Sequence, residues 1–291
     1  MELGYNFISH LGKATFNSYT GVLFLFSSII YITLARTYLL LSKYPITSLF
    51  LSFCVLSFAH IMYVRQNIAV VICGLSVYYI IKQKKWNFII AILIASLFHR
   101  TAFIFLLAYP TFHRVFSIKF HILLIIIALT IGTVLGKLFL NFIGSFGLGV
   151  ISSKIDGYLE LGSDDNSMAI STTTVLIKGF INKSIILSLI FYCKCKLKYN
   201  TTFFNGLTNL YILGTILYLI TLPLSISLAR IAVYMDSLQV IFIPYILYQQ
   251  KTLYNRILLF ALISCYFYMR FYASFISFQS EYVPFTTIFS T

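Results

Sequence analysis

The sequence predicts an all-α polytopic membrane protein of about 8 transmembrane helices plus one broken, re-entrant helix pair. Three observations predict it. The 291 residues are 60% hydrophobic and 10% charged, with a mean hydropathy of +0.93, outside the range of soluble domains. The apolar residues gather into runs about as long as a bilayer core is thick. The net charge of +14 sits in short basic clusters between those runs, as orientation signals do, and not on a surface that would meet nucleic acid.

Taken in order, the candidate spans are 18–35, 46–63, 67–81, 88–110, 119–141, 173–193, 205–224, 231–248 and 257–275. The first 17 residues are polar and mixed, with no cleavable signal pattern. Composition is even throughout, so residues 1–291 read as a single polytopic domain, with an external loop at about 143–172. The cysteines Cys54, Cys73, Cys193, Cys195 and Cys265 show no metal spacing and read as small buried hydrophobes.

Orientation follows from lysine and arginine. Lys82, Lys84 and Lys85 mark a cytoplasmic turn, and Arg36 and Lys43 agree with them two spans earlier. Lys194, Lys196 and Lys198 form a second cluster, and Lys251 and Arg256 a third. A single crossing by 88–110 would put the later clusters outside and the acidic segment of Asp156, Glu160, Asp164 and Asp165 inside. A segment that enters and returns puts every basic cluster inside and the acidic segment outside. The halves 87–98 and 101–112 each reach about 18 Å at 1.5 Å per residue, too short for a core about 30 Å thick. They read as two half-helices meeting at His99-Arg100, at a tip that faces the outer side or a wet cavity. A single crossing, with one later span misassigned, is the rival reading.

This topology brings Arg65, His99, Arg100 and Arg230 to the outer face, where lysine and arginine should be scarce. A lone arginine at a span end often snorkels to headgroups, but cations from three separate segments at one face call for a function. Lys137, Lys178 and Lys183 lie near the same face; Lys178 and Lys183 are expected to snorkel. Asp236 is expected to pair with a buried basic or hydroxyl group. His60, His113 and His121 are expected to be packing or interfacial residues. The acidic loop lacks the alternating spacing of a calcium site, and no motif suggests a metal.

At these residues the sequence resembles the EpsG/Wzy-type family of polysaccharide (O-antigen and exopolysaccharide) polymerases. The matching pieces are YVRQNIAV, then KKWNFIIAILIASLFHRTAFIFLLAYP, and much later LARIAVYMDSLQVIFIPYIL. They carry the Arg65-Gln66 pair that opens a span, the basic turn at Lys84-Lys85, the apolar run ending in His99, and Arg230 with Tyr234 four residues on. Members of that family carry a further N-terminal span and an external segment with an arginine and a Gly-Asp-Thr-like motif. The chain begins about where that segment would end, so it reads as a shortened member or one whose start is placed too late. Arg100 departs from the small residue more common after the histidine.

The resemblance implies a GT-C-like bundle in the bacterial cytoplasmic (inner) membrane. It also implies an enzyme that joins polyprenyl-diphosphate-linked repeat units at the outer face without a cofactor. The partners implied are lipid-linked glycan donor and acceptor, membrane lipid and a chain-length regulator. The residue chemistry suits this. Guanidinium groups hold diphosphate through forked hydrogen bonds, which assigns Arg65 and Arg230 to the leaving group. A sugar hydroxyl must lose its proton, and an imidazole titrates near neutrality, which assigns His99 as base or orienting group. Arg100, Gln66, Tyr234 and Lys137 are candidate substrate contacts. A membrane O-acyltransferase and a lipid-linked oligosaccharide flippase are the alternatives from other classes, and a glycan ligase is nearer in mechanism.

Overall fold

The computed structural model describes residues 2–134, 172–195, 201–276 and 279. Among them every regular element is helical. Six helices are long and apolar enough to cross a membrane: Tyr19–Leu41, Val64–Ile81, Thr174–Cys195, Thr202–Thr221, Ile226–Tyr248 and Leu253–Ile276. Shorter apolar helices cover Pro45–Leu56, Lys85–Phe98 and Ile118–Thr133. The chain is an all-α, multi-pass membrane protein, and its helices follow the order of the predicted runs. It forms two compact units, one of Met1–Arg100 with Gln239–Thr291 and one of Thr101–Leu238.

The first unit begins with α1 (Leu3–Phe16), α2 (Tyr19–Leu41), α3 (Pro45–Met62), α4 (Val64–Ile81) and α5 (Lys85–Phe98). The first 17 residues, polar and mixed, carry no predicted span. They fold because Leu3, Phe7 and Leu11 recur one turn apart on an exposed apolar stripe, while the opposite side packs on α2 and α5. α1 stops at Asn17, whose φ of 45° lets its N–H bond back to the Lys13 carbonyl. Ser18 then caps α2 by accepting the Gly21 N–H at 3.1 Å. α1 folds back along the start of α2, with Tyr5 stacked on Phe26 at 4.9 Å between ring centres. α4 is apolar on nearly every side and is the buried centre of this group, in contact with α2, α3 and α5.

The predicted break at His99-Arg100 is present. α5 stops at Phe98, and His99 is extended, with φ −157° and ψ 117°. The second half differs from the α-helix expected: Arg100–Leu107 is a 3-10 helix, followed by a single α-turn, α6 (Ala108–Phe112). The cause is legible in the burial. Ala102, Phe105 and Ala108 are all fully buried, three residues apart, and a threefold winding sets Ala102 and Phe105 one above the other on the packed edge.

The rest of the second unit comprises α7 (Ile118–Thr133), α8 (Thr172–Cys195), α9 (Thr202–Thr221), α10 (Ile226–Ala229) and α11 (Val233–Asp236), with a 3-10 turn at Arg230–Ala232 between the last two. α9 is its hub, touching α6, α7, α8, α10 and α11. A polar knot ties the end of the broken segment to this hub. Asn209 donates to the Thr111 and Arg114 carbonyls, both at 2.8 Å, and accepts from His121 Nε2 at 3.1 Å. His121 is thus a buried packing histidine, held through Nε2.

Two helices complete the first unit: α12 (Gln239–Tyr248), buried along most of its length, and α13 (Leu253–Ile276). Both pack on α3. Of α13, Ile263 and Phe267 are buried while Leu253, Ile257, Leu258 and Leu262 are exposed. An exposed face of that composition is one that lipid covers.

Candidate functional site

The first unit assembles its polar cluster from three helix ends. Arg65 lies in the first turn of α4, His99 is the residue on which α5 ends, and Glu2 immediately precedes α1, with its side chain free of the helix's own N–H groups. A cation in a first helical turn opposes the helix dipole, so Arg65 marks an end of α4 that favours an anion. Glu2 supplies one. Its Oε1 lies 2.9 Å from His99 Nδ1 and accepts the Arg100 backbone N–H at 3.3 Å. Its Oε2 lies 3.9 Å from Arg65 Nη1, an ion pair too long for a hydrogen bond. The Arg65 guanidinium is centred 5.2 Å from the Tyr5 ring, a cation–π contact from the same short helix.

Exposure is graded across the three groups. The side chain of Glu2 is 15% exposed, that of His99 31% and that of Arg65 56%. The carboxylate is the buried support, and the imidazole and guanidinium open outward. Gln66, next to Arg65, is buried, and Arg100 contributes its backbone while its side chain is exposed.

In the second unit Arg230 is exposed on its 3-10 turn. Tyr234 is fully buried, and its hydroxyl lies 2.9 Å from that of Thr101. That bond supports the first turn of the 3-10 segment and sets Tyr234 behind the surface. Lys183, expected to snorkel, is buried and donates to both carboxylate oxygens of Asp236 at 2.6 Å. Tyr218 and Tyr211 lie against its ammonium, with ring centres at 4.9 and 5.7 Å. Snorkelling requires an open path to headgroups, and the aromatic rings and the carboxylate occupy that space. Gly214 makes room for the pair, since a Cβ there would meet Asp236 Oδ1 at 2.7 Å.

Lys137, the acidic segment and the external loop lie outside the described residues. Among the described residues no group of three His, Cys, Asp or Glu gathers that could hold a metal ion. Of the functional candidates, sequence reading missed Glu2. The signal that could have found it is the Leu3, Phe7, Leu11 stripe, which makes the N-terminal stretch a packed helix with Glu2 at its head.

A model of the EpsG family matches residues 1–287, nearly the whole chain. No curated protein and no solved structure matches it.

Proposed function

Since the chain belongs to the EpsG family, we propose that it is a polymerase of lipid-linked oligosaccharide repeat units, acting at the outer face of the bacterial cytoplasmic membrane. The observation that carries the reading is the Arg65–Glu2–His99 cluster, a guanidinium and an imidazole held half-open at the end of an apolar helix bundle. Ionisable groups within membrane helices are costly and are retained for function.

The reaction needs two services. A hydroxyl oxygen of the acceptor sugar bonds to the anomeric carbon of the donor. The bond from that carbon to the diphosphate oxygen breaks, and the polyprenyl diphosphate leaves with the electron pair. Arg65, more than half exposed, is the guanidinium that meets the developing phosphate charge. Arg230 is proposed for phosphate contact from the second unit, on its exposure and its place in the motif. His99 takes the hydroxyl proton. Arg100 and Gln66 stand beside this chemistry as candidate contacts, and Tyr234 acts as a positioning residue for Thr101. The apolar outer surface suits a substrate whose tail stays in the bilayer.

Deleting the gene in its host tests the class. Loss of a polymerase leaves single repeat units on the lipid carrier. Loss of a flippase leaves no surface glycan, loss of an acyltransferase leaves full-length glycan without acyl groups, and loss of a ligase leaves long polymer on the carrier. Any of the last three outcomes would overturn the proposal.

A further inference from the structure

We infer that Glu2 is the positioning residue of His99: it holds the imidazole through Nδ1 and thereby presents Nε2 to the acceptor hydroxyl. The inference rests on the reading of His99 as the base.

The tautomer follows from the partner. An ionised carboxylate can only accept, so at 2.9 Å from Glu2 Oε1 it is His99 Nδ1 that carries the proton. Nε2 of the neutral ring then has its lone pair free, and no described residue bonds it. When Nε2 takes the hydroxyl proton, the ring becomes an imidazolium beside the carboxylate, which stabilises it without itself being protonated. The proton later passes to solvent, and no other reactant is needed.

Three features show that the carboxylate serves His99 before Arg65. The oxygen that meets His99 also takes the Arg100 N–H, so one atom fixes both the ring and the backbone at the break. The other oxygen is buried and makes no hydrogen bond to a described residue, and its distance to Arg65 is 3.9 Å. The helix that carries Glu2 is seated for this purpose. Gly4 lies against Leu97, where a Cβ would stand 3.1 Å from the Leu97 carbonyl oxygen, and Tyr5 is clamped on Phe26. α1 therefore approaches the end of α5 closely enough that any side chain at Gly4 would press on the Leu97 backbone, two residues before His99.

The test uses the full chain in liposomes. The substrate is the lipid-linked single repeat extracted from the deletion strain. Glu2→Ala is expected to lower kcat at least tenfold with little change in KM, within the His99→Ala loss of about 10²–10⁴. Glu2→Gln, which keeps the shape and an acceptor but not the charge, is expected to fall between Glu2→Ala and the unaltered protein, and Glu2→Asp to recover part of the rate. The double variant Glu2→Ala/His99→Ala is expected to be no slower than His99→Ala alone, because Glu2 acts through the ring. Gly4→Leu, which forces α1 away from α5 while leaving every charge in place, is expected to mimic Glu2→Ala.

Full rate in Glu2→Ala and Glu2→Gln, with His99→Ala inactive, overturns this inference and leaves the base intact. Losses that multiply in the double variant also overturn it and make Glu2 an independent structural contact. A faster Glu2→Ala overturns it in favour of a carboxylate that blocks the phosphate site. Full rate in His99→Ala removes the base and this inference together.

Discussion

The Lys43 ammonium stands over the ring of Tyr248, 5.2 Å from its centre. Tyr44 meets the same ring edge-on at 6.1 Å. The turn between α2 and α3 and the turn that carries Lys251 therefore lie at one end of the first unit. Two turns at one end require an even number of crossings between them. A segment from α5 to α6 that enters and returns on one side is the expectation from the charge pattern, and reporters test it. Topology reporters at Asn87, His113 and Asn200 are expected to read cytoplasmic, and one at Ser163 external. A reporter at His113 that reads external would remove the re-entrant pair.

The guanidiniums are tested by keeping their charge. Arg65→Lys and Arg230→Lys retain a cation but lose the planar fork that matches phosphate. Each is expected to abolish most polymer on a gel, with immunoblots showing normal protein in the membrane. Near-normal polymer in both would reduce these residues to headgroup anchors.

For His99, the Ala variant should cost about 10²–10⁴ in rate, the range of general acid–base catalysis. His99→Gln separates two roles. It can hydrogen-bond a hydroxyl but cannot take its proton, so it is expected to be as slow as the Ala variant. Substantial polymerisation by His99→Gln would assign the residue to orientation alone.

The Lys183–Asp236 pair makes a different prediction, about stability. Asp236→Leu leaves a buried ammonium among aromatic rings and is expected to cost about 3–5 kcal/mol. Lys183→Met with Asp236→Leu removes both charges and should restore most of that loss. Thermal unfolding in detergent reads both. A single variant as stable as the unaltered protein would mean that the ammonium finds water without its partner.

Much of this architecture was legible because lipid imposes a simple rule: apolar runs of a given length become helices. The break at His99 was legible for the same reason, since a cation beside an imidazole cannot lie within a lipid-packed helix without cost. Its continuation as a 3-10 helix was not, because the Ala102, Phe105, Ala108 series is informative only once those residues are known to be the buried ones. Lys183 and Asp236 are far apart in the sequence and come together through helix packing that no local pattern encodes. Glu2 was hidden by brevity, because α1, with 14 residues, falls short of a span and a search for spans passes over it.

The division of the chain has a consequence for biogenesis. α12 and α13 lie against α3, yet the whole of Thr101–Leu238 is translated between them and the first unit's opening helices. At roughly 5–20 residues per second, α3 waits on the order of ten seconds in the membrane before its partners emerge from the ribosome. During that interval its packing face is covered by lipid or by the insertion machinery. A nascent chain halted soon after Leu238 would leave that one face of α3 uncovered while α2 and α4 hold the others, a form that quality-control proteases can recognise.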